Sequence, residues 1–289
     1  MLKGKNILIT GANSGIGRVT ATELARLGAN IIMVCRNIEK AKAVQEDINA
    51  LTGLNNVDLF IADLSSHHAI KQFSEGFYQK YDQLDVLINN AGAVFNKREE
   101  NEDGIELTMA TNHLGYFLTT HYMLPALKQA PNARIVNVAS MAHRFVNFNY
   151  NNLNADKNYN FFKQYSISKL CNILFNKQLT SLLRNTSNIT SNCLHPGNIA
   201  SNFGRNSTPV FNFLIQQFSF MLTTPDKGAK TSIYLASSPL VQNKSGLYWY
   251  KKNPVVPSLD AINSEYARQL WEWSLEKTQI KEFGKTALL

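Results

Sequence analysis

Apolar residues return along the first two thirds of the chain in two alternating rhythms. Short, nearly continuous apolar runs occur at NILIT (6–10), NIIMVC (30–35), VDLFIAD (57–63), LDVLINNAG (84–92), ARIVNVAS (133–140) and ITSNCLHPG (189–197). Between them, apolar positions recur every three or four residues, as Ile16, Val19, Leu24 and Leu27 do. The first rhythm is that of strands buried on both faces, the second that of amphipathic helices. The spacing predicts helices over about 15–28, 37–51, 66–81, 103–129 and 161–184. Repeated strand–helix units with right-handed crossovers imply an α/β fold of Rossmann type: a doubly wound parallel sheet with helices on both faces. Such sheets take their ligands at the carboxyl ends of the strands.

Beyond residue 200 the rhythm changes. PVFNFLIQQFSFML (209–222) carries too many apolar positions for one helix stripe. A lid over an apolar substrate ranks first here, ahead of a buried core helix and a membrane- or partner-facing patch. A helix at 225–237, a short strand GLYWY (246–250) and a helix near 260–278 complete the chain. No linker composition, charge block or repeat divides the 289 residues, so one domain is expected.

Composition narrows the class. Cys35, Cys171 and Cys193 are scattered, and the six histidines, His67–His68 included, form no metal-ligand spacing. Reduced thiols and no structural metal are expected. The first strand begins after five residues and leaves no room for a targeting segment, and no stretch is apolar enough to span a bilayer. A cytoplasmic location is expected. The net charge of +8 is spread along the chain without a nucleic-acid motif, so nucleic acid is not an expected partner. The charge suits an anionic cofactor, and weak contact with anionic membrane surfaces is compatible with it.

The candidate chemistry begins in TGANSGIG (10–17). Gly11, Gly15 and Gly17 follow the first strand and open the first helix, with Asn13, Ser14 and Ile16 among them. Glycine permits a sharp turn and close backbone approach, and the helix start presents free N–H groups to a phosphate. Arg36 stands 19 residues past Gly17, just after the second strand. An acid there would hold the adenosine ribose hydroxyls, whereas an arginine can pair with a 2′-phosphate; NADP(H) is therefore expected over NAD(H). Asp63, followed by Leu64, ends the third strand. Its carboxylate can accept from an adenine amino group or cap the next helix, and the sequence does not choose. Tyr165 and Lys169 lie one helical turn apart, on one face. A neighbouring ammonium favours the phenolate, so Lys169 is expected to lower the Tyr165 pKa toward neutrality and fit it for acid–base work.

In combination and in this order, TGANSGIG, NNAG (89–92), Asn112, Ser140, YSISK (165–169) and HPG (195–197) resemble the short-chain dehydrogenase/reductase family over nearly the whole chain. MVCRN (33–37), VNVASMAH (136–143), YNFFKQYSISKLCNILF (159–175) and ARQLWEWS (267–274) are similar to its retinol dehydrogenase-like branch, which includes WW-domain oxidoreductase relatives. The resemblance implies hydride transfer between NADP(H) and a hydrophobic carbonyl or alcohol. It implies that Ser140 hydrogen-bonds the substrate oxygen, Tyr165 exchanges the proton, and Lys169 tunes Tyr165 and binds the nicotinamide ribose. It further implies that Asn112 holds a water in the proton path. Asn90, Ala91 and Gly92 would line the adenosine-ribose side, and Pro196 and Gly197 would lie beside the nicotinamide. The cofactor-binding half would reach to about residue 140 and the substrate-binding part would follow. Helices 103–129 and 161–184 would be the surfaces of a homodimer or homotetramer. The rival reading is a non-catalytic cofactor-binding redox or interaction module. The pattern departs from the branch at Ala139, where a second serine is common.

Overall fold

Eight strands lie in one sheet in the order β3-β2-β1-β4-β5-β6-β7-β8. They are β1 (Asn6–Thr10), β2 (Asn30–Cys35), β3 (Val57–Ile61), β4 (Val86–Asn89), β5 (Ala133–Val138), β6 (Ile189–Leu194), β7 (Tyr248–Tyr250) and β8 (Asn253–Pro254). All neighbours pair in parallel except β7 with β8. The computed structural model describes residues 2–185, 188–197 and 224–286, so the lid expected at 209–222 lies outside the described residues. The order reverses between β1 and β4, and that is where a doubly wound sheet opens a crevice for a ligand.

The continuous apolar runs follow from burial on both faces. Leu8, Ile32, Leu87 and Ile135 point to one face. They meet Phe73 and Phe77 of α3 (His67–Tyr78), Phe117 and Met123 of α5 (Gly115–Gln129) and Phe175 of α6 (Phe161–Leu182). Ile7, Ile9, Ile31, Met33, Ile88 and Val136 point to the other. They meet Leu24 of α1 (Gly15–Arg26), Val44 and Ile48 of α2 (Ile38–Thr52) and Leu235 of α7 (Pro225–Ser237). Each large aliphatic side chain moved out of water in this way contributes about 1.5–3 kcal/mol against conformational entropy.

Helix 103–129 starts later than its periodicity suggests. Asn101 first closes a turn, its side-chain oxygen accepting from Asp103 N–H (3.0 Å) and Ile105 N–H (2.9 Å). A one-turn helix α4 (Leu107–Met109) and a π turn (Ala110–Leu114) then lead into α5. The last helix, α8 (Ser264–Thr278), likewise starts after a 3₁₀ turn at Asp260–Ile262, where Asn263 caps it. Strands β3 and β5 stop at Ile61 and Val138, two residues short of the apolar runs that announce them.

α8 and the tail behind it sheathe the helices expected to pair subunits. Trp271 stacks on Phe175 at 5.9 Å and meets Phe117 edge-on at 5.1 Å, while Phe283 lies 4.8 Å from Phe117. Gly284 N–H donates to Nδ1 of His121 (2.9 Å). Every residue of α5 from Gly115 to Leu127 is buried within one chain, by the sheet, by α3 and by this aromatic cluster. Among the described residues no helix is long and apolar enough to cross a membrane, and no cluster of three acidic, histidine or cysteine side chains is placed to hold a metal.

Candidate active site

The β1–α1 turn is shaped by what a side chain would strike. A Cβ on Gly17 would stand 2.3 Å from the Gly11 carbonyl oxygen and 2.6 Å from Asn90 Nδ2. One on Gly11, whose φ is +67°, would meet the Ala91 Cα at 2.9 Å. The turn and NNAG are knitted together: Thr10 Oγ1 accepts from Asn90 N–H (2.9 Å) and Ala91 N–H (3.0 Å), and Asn90 Nδ2 donates to Thr10 O (2.9 Å). Gly15 has a left-handed φ of +53°, but nothing lies within 4 Å of where its Cβ would be. That face is open, with Asn13, Ser14 and Ile16 at least partly exposed around it.

The start of α1 is open too. Helices α2, α3, α6, α7 and α8 begin with a side chain accepting from their first turn: Asn37, Ser66, Asn160, Thr224 and Asn263. Ser14 makes no such bond, and no acid sits in the first turn of α1. Free amides beside an unobstructed glycine fit the pyrophosphate of a dinucleotide.

Further along the crevice, Arg36 and Asp63 face each other, Nη1 to Oδ2 at 3.6 Å. The capping alternative for Asp63 is not realised, because Ser66 caps α3. Asp63 Oδ1 instead accepts from the N–H (2.9 Å) and hydroxyl (2.7 Å) of Ser65. The Leu64 side chain turns into the core.

At the carboxyl end of β5 the chain leaves the sheet through Ser140, whose Oγ accepts from Ala142 N–H (3.2 Å) and starts a 3₁₀ turn at Met141–Phe145. The Ser140 side chain also meets the Tyr165 phenol and favours its ionised form. One turn on, Lys169 is 3% exposed and its ammonium donates to Val138 O (3.1 Å). Nζ lies 5.8 Å from the Tyr165 ring centre and only 3.3 Å from where a Gly92 Cβ would be, so glycine keeps that side of the ammonium clear. Asn112, fully buried in the π turn, accepts from Ala93 N–H (2.7 Å) and donates to Ala93 O and Ser168 Oγ (both 3.0 Å). Its amide thus ties the loop after NNAG to α6. Pro196 and Gly197 follow β6 into the same corner, where Gly197 N–H donates to His195 Nδ1 (3.2 Å).

The expected sign of the Tyr165 shift is reversed in the protein alone. Burial raises the phenol to about 12, and the Ser140 side chain only partly opposes it. Burial also lowers Lys169 to about 8. Removing each group from water outweighs the neighbouring charge. Three further groups support the site, none of them given a role by the sequence reading. The Val138 carbonyl accepts from Tyr116 Oη (3.2 Å) and Asn172 Nδ2 (3.4 Å) besides Lys169. The buried Glu106 carboxylate accepts from Thr108 N–H, Met109 N–H and Gln164 Nε2, each at 2.9 Å, and so joins the helix before the π turn to the residue beside Tyr165. An acid just before an apolar helical run is the only trace Glu106 leaves in the sequence. The third group is His143, whose ring bonds the Ser140 carbonyl.

Known proteins are similar to this chain in sequence and in fold. The family model for short chain dehydrogenases matches residues 5–210. Human retinol dehydrogenase 11 is 38% identical, with 95% of this chain and 86% of that protein covered. Bovine retinol dehydrogenase 12 is 39% identical over 97% of this chain and 88% of its own length. Among solved structures, an uncharacterised protein from Mycobacterium paratuberculosis superposes with a TM-score of 0.78 at 31% identity, covering 96% of this chain and 94% of the other. A short chain dehydrogenase from Escherichia coli CFT073, complexed with NADPH, has the same fold at 24% identity and a TM-score of 0.68, covering 87% and 98%. With its motifs at one end of one sheet, the chain belongs to the short chain dehydrogenase family of oxidoreductases, in the retinol dehydrogenase-like branch.

Proposed function

We propose that this protein is an NADP(H)-dependent oxidoreductase that interconverts a hydrophobic aldehyde or ketone, retinoid-, steroid- or lipid-like, with its alcohol. The observation that carries the reading is the meeting of Ser140 and Tyr165 at the carboxyl end of β5, with Lys169 one turn away beneath the clear face of Gly92. The bound cofactor supplies or accepts hydride at the nicotinamide. In reduction, Tyr165 gives its proton to the carbonyl oxygen while Ser140 holds that oxygen by a hydrogen bond. Lys169 binds the nicotinamide ribose and brings its positive charge to Tyr165. Asn112 keeps the loop beside Gly92 and the α6 helix in register around the proton path. Pro196 and Gly197 flank the nicotinamide, and Asn90 and Ala91 the adenosine ribose.

In the protein alone the phenol, pushed up to about 12, is protonated at neutral pH and so carries the proton that reduction consumes. Arg36 supports NADP(H): its guanidinium is mostly exposed, and its ion-pair partner among the described residues is the surface carboxylate of Asp63. Such a pair is worth about 1 kcal/mol or less, so exchanging Asp63 for a 2′-phosphate costs little. The names of the relatives support a retinoid-like substrate.

The test is a panel of all-trans-retinaldehyde, steroid ketones and medium-chain aldehydes with NADPH and with NADH, followed by nicotinamide absorbance. Turnover of apolar carbonyls with NADPH preferred is expected. Tight NADPH binding with no turnover anywhere in the panel would contradict the reading and return the protein to the class of cofactor-binding modules.

A further inference from the structure

His143 is fully buried three residues past Ser140, and both of its ring nitrogens are bonded. Nδ1 lies 2.7 Å from the Ser140 carbonyl oxygen. Nε2 lies 3.1 Å from Ser258 N–H, in the segment that follows β8. A backbone N–H can only donate and a carbonyl can only accept. Nε2 must therefore carry the lone pair and Nδ1 the proton. The backbone on both sides dictates one neutral tautomer, and a second proton would set Nε2–H against Ser258 N–H. The ring meets Tyr248 edge-on at 5.2 Å, with the Tyr248 hydroxyl 3.5 Å from Nδ1.

We propose that His143 is a positioning residue for the reaction: it clamps the Ser140 peptide to the Ser258 segment, fixing the Ser140 hydroxyl on Tyr165 and on the substrate oxygen. The proposal rests on the reading of Ser140 given above. The argument is geometric. Ser140 leaves the end of β5 on an extended backbone, and its carbonyl accepts from His143 Nδ1 at 2.7 Å and more weakly from His143 N–H at 3.3 Å. Without the ring, the Ser140 carbonyl would keep only the long His143 N–H bond among its described partners, beside the 3.2 Å bond from Ala142 N–H to Ser140 Oγ. A displacement of about 1 Å of a group near the reacting atoms can cost on the order of 100-fold in rate. The surroundings also keep the ring neutral. Burial lowers its pKa, the Ser140 carbonyl opposes this, and Arg144 adds to the lowering. His195 and Tyr248 are titratable side chains that face the ring, with Tyr165, Lys169 and Cys193 behind them on the same corner.

Two measurements test the clamp. In the ¹⁵N spectrum of histidine-labelled protein, His143 should show a protonated Nδ1 and an unprotonated Nε2 at neutral pH; the opposite tautomer overturns the proposal. In steady-state reduction of all-trans-retinaldehyde by NADPH, His143→Phe keeps the packing on Tyr248 and removes both bonds. It should lower kcat about tenfold or more, on the scale set by loss of preorganisation, while leaving KM for NADPH unchanged. His143→Asn, whose amide can still donate to the Ser140 carbonyl but does not reach Ser258, should recover part of that loss. Combined with Ser140→Ala, His143→Phe should cost nothing further, because both act through one hydroxyl. Wild-type kcat in His143→Phe, equal damage from Asn and Phe, or additive losses in the double variant would each overturn the clamp. If Ser140→Ala lowers kcat while His143→Phe does not, the clamp alone fails. If the wild type turns nothing over, or Ser140→Ala is fully active, the reading beneath it fails.

Discussion

At the β1–α1 turn the groups offered to a ligand are backbone amides, and at the β5–α6 corner they are side chains. The turn achieves its role by omission: Ser14 does not cap α1, Gly15 projects nothing, and Gly17 lies so close to the Gly11 carbonyl that a methyl cannot fit. The corner works by crowding. Ser140 meets Tyr165, Lys169 is held by the Val138 carbonyl, the Asn112 amide bonds the intervening Ser168, and burial moves both titrating groups from their usual values. On the proposed function the turn serves binding and the corner serves chemistry, with Lys169 taking part in both, so substitutions at the turn and at Tyr165 should fail differently.

The largest effect belongs at the corner. Tyr165→Phe keeps the ring and loses the proton, so turnover should fall by about 10²–10⁴, the usual contribution of general acid catalysis. NADPH affinity, read by fluorescence titration, should stay within about twofold of wild type, since the turn that binds is untouched. Weakened binding in step with turnover would erase the separation. Gly17→Val should show the reverse pattern. Its side chain must push the Gly11 carbonyl aside, so NADPH binding should be largely lost and thermal unfolding should move down by the equivalent of about 1–3 kcal/mol.

Much of this was legible in the sequence. Ile7, Leu8 and Ile9, or Ile31, Ile32 and Met33, announce strands because both sheet faces must be apolar. Gly11, Gly15 and Gly17 announce a turn because no other residue suits it, and Tyr165 and Lys169 share a face because a helix turn separates them. The rest depends on contacts that no local pattern carries. Gln164 meets Glu106 across 58 residues and Ser258 meets His143 across 115. The π turn at Ala110–Leu114 leaves the apolar rhythm of helix 103–129 almost unchanged while re-aiming Asn112. The sign of the Tyr165 shift was missed because a charge four residues away is visible in a sequence and desolvation is not.

Smaller effects sharpen the comparison. Arg36→Ala should weaken NADPH by about 10- to 100-fold, the loss of a charge-assisted phosphate contact worth roughly 1.5–3 kcal/mol, and leave NADH nearly unchanged at matched salt. Equal losses for both cofactors would mean that Arg36 acts through general charge. The smallest effect lies in the caps. Asn160→Ala removes the acceptor for Lys163 N–H at 2.9 Å and should cost about 1 kcal/mol in denaturant unfolding. Ser14→Ala should cost nearly nothing, because Ser14 caps nothing. A comparable cost at both positions would show that the start of α1 is not open.

The central claim is that the Tyr165–Lys169 pair carries the proton chemistry, and the pH dependence of kcat in NADPH-saturated reduction tests it most directly. Lys169 is lowered to about 8, so its ammonium is present below that pH and lost above it, while the phenol, raised to about 12, stays protonated throughout. Wild-type kcat should therefore hold level through neutrality and fall as pH rises through about 8, and Lys169→Met should be slow at every pH and lack that inflection. The same inflection in both proteins, or a Lys169→Met enzyme as fast as wild type at pH 7, would contradict it.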